Sequence, residues 1–296
     1  MNVERITGKS PCASSARADG FTLIEVLLVL VIIAVLAAIL LPALAKARER
    51  GQAILCLNNT RQLELAWQLY ADDHESLLPY NLVMKEFSFR TNINWVNNVM
   101  TWDLSSDNTN TATITEASLG PYASGVTSIY RCPSDRALSV MQSTNGWDHR
   151  IRSYSMNAMM GDVGASLTTN GVNVNNPGYK QFLKITEIPH SSEIFVFLDE
   201  HPDSIDDGYF VNKAAPPVNG SYGANTTSGD EWQNLPASYH NRATAFSFAD
   251  GHASLHRWLN AKTIQPAVPN AAHLPIQILD EHNDFDWMME HMSIQN

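Results

Sequence analysis

Three sets of residues in this sequence have types and spacing that could do chemistry. The first is one carboxylate, Glu25, at the N-terminal edge of Val26–Leu41, sixteen residues without a charge or a polar group. An acid bordering such a run is costly in hydrocarbon unless it has a partner, so it reads as a functional group. The second is a pair of cysteines, Cys56 and Cys132. If exported, they could close a disulfide or stay as two buried thiols. The third is rich in His and acids. His240 is followed after nine residues by Asp250-Gly251, with His252 and His256 beyond and Asp199-Glu200-His201 upstream. His and carboxylates are ligands of zinc-type sites, although the spacing matches no compact motif such as H-E-x-x-H. Asp203, Asp206 and Asp207 before Gly208 offer hard oxygens to calcium without the spacing of an EF-hand. The expectation is no resident cofactor, with Asp203, Asp206, Asp207, His240, Asp250 and His252 kept as metal candidates and calcium as the candidate ion. No G-x-S-x-G, G-x-G-x-x-G or Walker loop is present, so no catalytic residue is assigned and the chain is not expected to be an enzyme.

The elements that must position these residues begin with a long helix. After the apolar run the sequence KARERGQAILCLNNTRQLELAWQLYADD keeps strong helix formers. Cys56, Leu63, Ala66, Trp67 and Tyr70 recur at helical spacing and mark one face, which Leu55, Leu65 and Leu69 would widen. One helix is predicted from about Thr22 to about Asp72, with Pro42 and Gly51 as places for a kink. Beyond Ser76 the texture turns to Asn, Ser, Thr, Gly and Pro with scattered aromatics. Short strands are predicted at Ser128–Cys132, Arg152–Met156, Glu193–Leu198, Ala243–Ala249 and Ala253–Trp258, between long loops at 104–128 and 161–180. The last two strands form a hairpin. A two-residue Asp250-Gly251 turn of type I′ would bury Phe246, Phe248, Ala253 and Leu255 together.

The chain has 296 residues, 44% hydrophobic and 17% charged, with a net charge of -11. It is long enough for a sizeable core, and its composition is not that of a disordered chain. The first 20 residues carry Arg5, Lys9 and Arg17 against Glu4 and Asp19, so the acidity lies in the remainder. An acidic chain argues against phosphate binding, which needs a basic face, so no nucleic acid is expected as a partner. The basic leader would stay in the cytoplasm and place the bulk of the chain on the far side of the membrane. An ordinary signal peptide places its cleavage site after the apolar run. Here the small residue, Gly20, precedes it, and the run would be kept.

Gly20-Phe21-Thr22-Leu23-Ile24-Glu25-Val26 resembles the N-terminal motif of type IV prepilins and type II secretion pseudopilins. The resemblance implies a prepilin peptidase that cuts after Gly20 and methylates Phe21. It also implies assembly through Glu25 and through a proline farther along the same helix, here Pro42. A new α-amine at Phe21 is cationic at neutral pH. Borne by a neighbouring subunit, it could neutralise Glu25. The rest resembles large pilin-like proteins with a C-terminal H-x9-D-G motif. Cys56-Leu57-Asn58-Asn59, Tyr130-Arg131-Cys132-Pro133-Ser134-Asp135, Ser153-Tyr154-Ser155-Met156-Asn157 and His240 with Asp250-Gly251 carry that likeness. Residues 160–235 carry none.

The expected fold is α+β and pilin-like: one long N-terminal helix packed on a β-rich head with long loops. The expected divisions are a leader at 1–20, an assembly half of the helix at 21–42 and an amphipathic half at 43–75. A head at 76–265 and a tail at 266–296 complete them. The expected role is a single-pass inner-membrane subunit, head outward, that joins other pilins or pseudopilins in a filament. The alternative is a membrane-anchored head that binds or hydrolyses a ligand, glycan or metal.

Overall fold

The computed structural model describes residues 22–83, 92–169, 172–214, 229–280 and 282–296. Helix α1, Leu23–Asp73, runs 51 residues without a break through Pro42 and Gly51. Pro42 forfeits one intrahelical hydrogen bond, and no Cβ clash threatens Gly51. By its contacts the chain divides into two units, one up to Ala47 and one from Arg48 to Asn296. In the first unit the described residues are almost all exposed, and the most apolar window, of mean hydropathy 3.3, has none of its residues buried.

In the second unit α1 buries Cys56, Leu63, Ala66, Trp67 and Tyr70, the predicted face, together with Ala53, Thr60, Glu64 and Ala71. Leu55, Leu65 and Leu69 do not widen it; they are exposed. The buried stripe is only as wide as the surface that covers it, and single exposed leucines are ordinary.

Two short helices follow, α2 (Ala112–Thr115) and α3 (Val140–Thr144), then strands β1 (Tyr154–Asn157), β2 (Thr168–Thr169), β3 (Val172–Asn173), β4 (Phe195–Asp199), β5 (Tyr209–Phe210), β6 (Glu231–Trp232), β7 (Ala243–Phe248), β8 (Ala253–Arg257) and β9 (Ile276–Gln277). Helix α4, Asn283–Met292, closes the order. The main sheet is mixed, ordered β5-β1-β4-β7-β8; β5 alone runs parallel to its neighbour. β2 with β3 and β6 with β9 form two-stranded ribbons.

The two central strands β4 and β7 are buried along their whole length, as strands covered on both faces must be. Side chains of one face, including Val196, Phe197 and Ala245, cluster with Cys56, Leu63 and Trp67 of α1. Phe195, Leu198, Phe246 and Phe248 cluster instead with Trp232, Trp258 and with Phe285, Met288, Met289 and Met292 of α4. The pairing of β4 with β7 slips between Phe195 and Phe197. Such an irregularity re-aims side chains, and both Val196 and Phe197 join the α1 cluster. The segment after Pro266 thus ends in a helix that caps the second face.

Two local predictions fail. Thr127–Tyr130 forms a 3₁₀ turn rather than a strand. Its apolar signal is only two residues long, and Thr127 and Ser128 favour turns. The hairpin register is Ser247 opposite Ala253 and Phe246 opposite Ser254, one residue away from a two-residue loop. Phe248 exchanges hydrogen bonds with His252 and Gly251, and only Gly251 of the loop has positive φ, +92°. That is a three-residue turn closed by a left-handed glycine. The shift sends Leu255 to the exposed side.

Candidate functional site

The N-terminal candidate is built on one helical turn. Gly20 and Phe21 lie outside the described residues. Thr22 precedes α1, and its amide and hydroxyl donate to Glu25 Oε2 at 2.8 and 2.9 Å. The Glu25 amide returns a bond to Thr22 Oγ1 at 3.3 Å. This is a reciprocal capping box, which satisfies amides that a helix start leaves orphaned. In a single chain Glu25 therefore already has partners, supplied by the residue next to Phe21. Pro42 sits within α1 and is exposed.

The second candidate lies in the other unit and is assembled from four places in the chain. Cys56 comes from the buried face of α1. Cys132 opens a turn, Cys132-Pro133-Ser134-Asp135, in which the Asp135 amide donates to the Cys132 carbonyl at 3.0 Å. Proline in second place presets that turn. Asp135 then accepts the Ser153 hydroxyl at 2.7 Å, which ties the turn to the start of β1. α1 grips the same segment from its side: Asn59 Nδ2 donates to the Arg131 carbonyl at 2.9 Å. Asp199 ends β4, opposite Tyr154 of β1. His240 precedes a tight turn in which Asn241 and Arg242 both have positive φ, +54° and +68°, and its amide donates to the Ala243 carbonyl. The two-residue turn with left-handed central residues is therefore at Asn241-Arg242, leading into β7, and not at Asp250-Gly251.

These four side chains converge. Their ligand-type atoms all lie within 4.8 Å of one another, and all four residues are buried. Cys56 Sγ donates to Asp199 Oδ2 at 2.8 Å. His240 Nε2 lies 3.3 Å from Cys132 Sγ and 3.5 Å from Asp199 Oδ2. The Tyr154 hydroxyl lies 3.0 Å from Cys56 Sγ. Asp199 Oδ1 and His240 Nδ1 are buried without a hydrogen-bond partner among the described residues. Both cysteines are free thiols here, brought together but not bridged.

The electrostatics follow from crowding acids in a dry place. Burial pushes the Cys56 thiol well up, and the neighbouring Cys132 and Asp199 push it further. Burial likewise raises the Tyr154 hydroxyl, with Cys56 and Asp199 adding to it. For His240 burial opposes the charged form, but hydrogen bonding to Asp199 and Cys132 outweighs it and raises the imidazolium to about 10.

The other metal candidates do not join this group. Asp203 accepts Trp102 Nε1 and the amides of Asn270 and Ala272. Asp206 accepts the Asp207 amide, and Asp207 that of Tyr209. These carboxylates shape a loop, and they form no convergent cluster among the described residues. Asp250 Oδ1 accepts the His252 amide and faces His252 Nδ1 at 2.6 Å, while the His252 ring stacks on Phe248. His256 stacks on Trp287, and burial lowers its pKa to about 4. His240 is kept from Asp250 and His252 by β7, whose six residues span about 20 Å. Sequence reasoning named Cys56 with Cys132 as one pair and His240 with Asp199 in a separate set of His and acids, and gave Tyr154 no chemical role. The available signal was that three of them sit in short boxes set far apart.

Residues 15–41 match the family model for the prokaryotic N-terminal methylation motif. The N-terminal segment is of prepilin type. It implies processing by a prepilin peptidase and suits a single-pass membrane anchor. The fold, one long N-terminal helix before a β-rich head with a mixed sheet, is α+β and pilin-like. No curated protein and no solved structure matches the chain.

Proposed function

We propose that the chain is a pilin-like structural subunit, processed between Gly20 and Phe21 and assembled through α1 into a type II secretion pseudopilus or a type IV pilus-like filament. The observation that carries this reading is the first half of α1. It offers an all-round apolar surface, long enough to cross about 30 Å of hydrocarbon, with none of its most apolar window buried by the chain itself. A helix apolar on every side needs lipid or other helices around it. Joined to a prepilin-type motif, it serves first as an anchor in the inner membrane and then as the packing surface between subunits.

Glu25 supplies the register. In the lone subunit its carboxylate is held by Thr22. In a bundle, the α-amine of a neighbour's Phe21 offers a charged partner that the Thr22 amide and hydroxyl cannot match. The chain works by assembly and not by catalysis, with the head on the outer side of the membrane. The competing reading, an anchored head that binds or hydrolyses a ligand, calls for an accessible site. The convergent cluster found among the described residues is buried.

Replacing Glu25 with Leu tests this. The variant should insert and be cleaved, because the leader and Gly20 are intact, while crosslinkable multimer falls relative to processed monomer. Unchanged multimer would leave α1 as a plain anchor and sink the assembly role of Glu25.

A further inference from the structure

We propose that Cys56, Cys132, Asp199 and His240 form a four-coordinate site for zinc, or a divalent transition cation of the same character, that fastens α1, the Cys132 turn and the main sheet to one another. The inference concerns the head alone and does not depend on the filament reading.

The geometry points to coordination rather than catalysis. In a nucleophile–base–orienter triad, the nucleophile and the carboxylate hold opposite nitrogens of the imidazole. Here Cys132 Sγ and Asp199 Oδ2 both face the same nitrogen, Nε2, at 3.3 and 3.5 Å, and Nδ1 has no partner. The four donor atoms lie within 4.8 Å of one another, close enough for one ion to be shared among them. Tetrahedral zinc, with Zn–S near 2.3 Å and Zn–N or Zn–O near 2.0 Å, separates ligand atoms by roughly 3.3–3.8 Å. The observed separations of 2.8, 3.3 and 3.5 Å come within about 1 Å of that range.

The donor set selects the ion. Two thiolates and an imidazole suit zinc and its neighbours, whereas calcium and magnesium call for oxygen. All four residues are buried, so no position is open to water or substrate, as in structural zinc sites. The Tyr154 hydroxyl, 3.0 Å from Cys56 Sγ, is placed to donate to the thiolate from the outer shell. Binding would displace the two thiol protons and the proton on His240 Nε2, and would give three acidic groups a shared counter-charge. A Cys56–Cys132 disulfide would use two of the four donors. It gives no reason for a carboxylate and an imidazole to meet at the same point, with Asp199 Oδ1 left without a partner.

The test uses the full chain, extracted in mild detergent without chelator or reductant. Metal content by mass spectrometry should be about one zinc per chain. Cys56 and Cys132, told apart from Cys12 by peptide mapping, should resist labelling until a chelator and a denaturant are added, and no reductant should be needed. Replacing zinc with Co²⁺ should give the visible bands of a tetrahedral site and thiolate-to-cobalt charge transfer. Cys56→Ser and His240→Gln should lose the metal, and Tyr154→Phe should weaken binding by about 10–100-fold. His252→Ala should keep it. If the ligand variants fail to fold, the cobalt spectrum of the unaltered chain still decides. Thiols that appear only after reduction would show a disulfide and overturn the proposal. So would free thiols in a chain that gains no charge-transfer band when titrated with Co²⁺.

Discussion

Gly251 closes the β7–β8 turn, and replacing it with Ala tests the hairpin geometry directly. Gly251 has φ +92°, outside the region that an L residue adopts readily. A Cβ there would also come within 3.3 Å of the Gln68 side-chain amide, which itself donates to the Ala249 carbonyl at 3.3 Å. Gln68 is flexible and can yield, so backbone strain dominates. Left-handed backbone costs an L residue roughly 1–2 kcal/mol, and loss of part of the Gln68 contact adds about 0.5–1 kcal/mol. For a domain of this size each kcal/mol lowers Tm by about 2–4 °C, so Gly251→Ala should cost about 3–12 °C. Gly251→Asn should cost less, because Asn tolerates positive φ. The assay is thermal unfolding of the full chain in detergent, followed by the fluorescence of the buried Trp67, Trp95, Trp232 and Trp258. A Tm change under 1 °C for Gly251→Ala would refute the left-handed closing residue, and the hairpin register with it.

The mature N-terminus is expected to be Phe21 bearing a methyl group on its nitrogen; intact-mass measurement of the native protein checks it, and a chain retaining residues 1–20 would contradict processing. Glu200 is fully buried, and burial raises its carboxyl from 4.5 to about 8 despite hydrogen bonds. A raised folded pKa means that the native state binds the extra proton, so this stabilisation is complete below about 4.5 and is lost as pH rises through about 8. Unfolding midpoints should therefore fall between pH 5 and pH 9 by an amount that Glu200→Gln reduces, and an unchanged pH slope in that variant would count against the assignment.

The helix was legible because two simple signals coincide in it: an unbroken apolar run, then a 3.6-residue period through Cys56, Leu63 and Trp67. The width of its buried face was not, since Leu55, Leu65 and Leu69 are apolar for reasons that burial in the head does not supply. Four of the main-sheet strands were readable from short β-rich runs, but β5 is two residues long and carries no period. In α4, Phe285, Met288, Met289 and Met292 follow a helical i, i+3, i+4, i+7 pattern; the prolines and acids around them obscured it. The buried cluster could not be read from spacing. Successive members lie 41 to 76 residues apart in sequence, and their meeting is a product of sheet order and of the slip in β4.

Strand length explains why nine residues separate His240 from Asp250-Gly251. Asn241 and Arg242 form the turn, Ala243–Phe248 is β7, and Ala249 begins the next turn. His240 and Asp250-Gly251 therefore mark the two ends of one central strand, and they do different things. His240 brings an imidazole to the cluster at one end. At the other, Gly251 closes the turn and Asp250 caps it through His252. β7 places Ala245 with the α1 cluster, while Phe246 and Phe248 join the α4 cluster. Because side chains alternate with a period of two, one residue more or fewer in β7 would exchange those faces. Large aromatics would then be driven against Cys56 and Trp67, and small residues against Trp258 and Phe285. The fixed spacing is thus the length of a strand buried on both sides, set by packing as much as by any recognition of the motif itself.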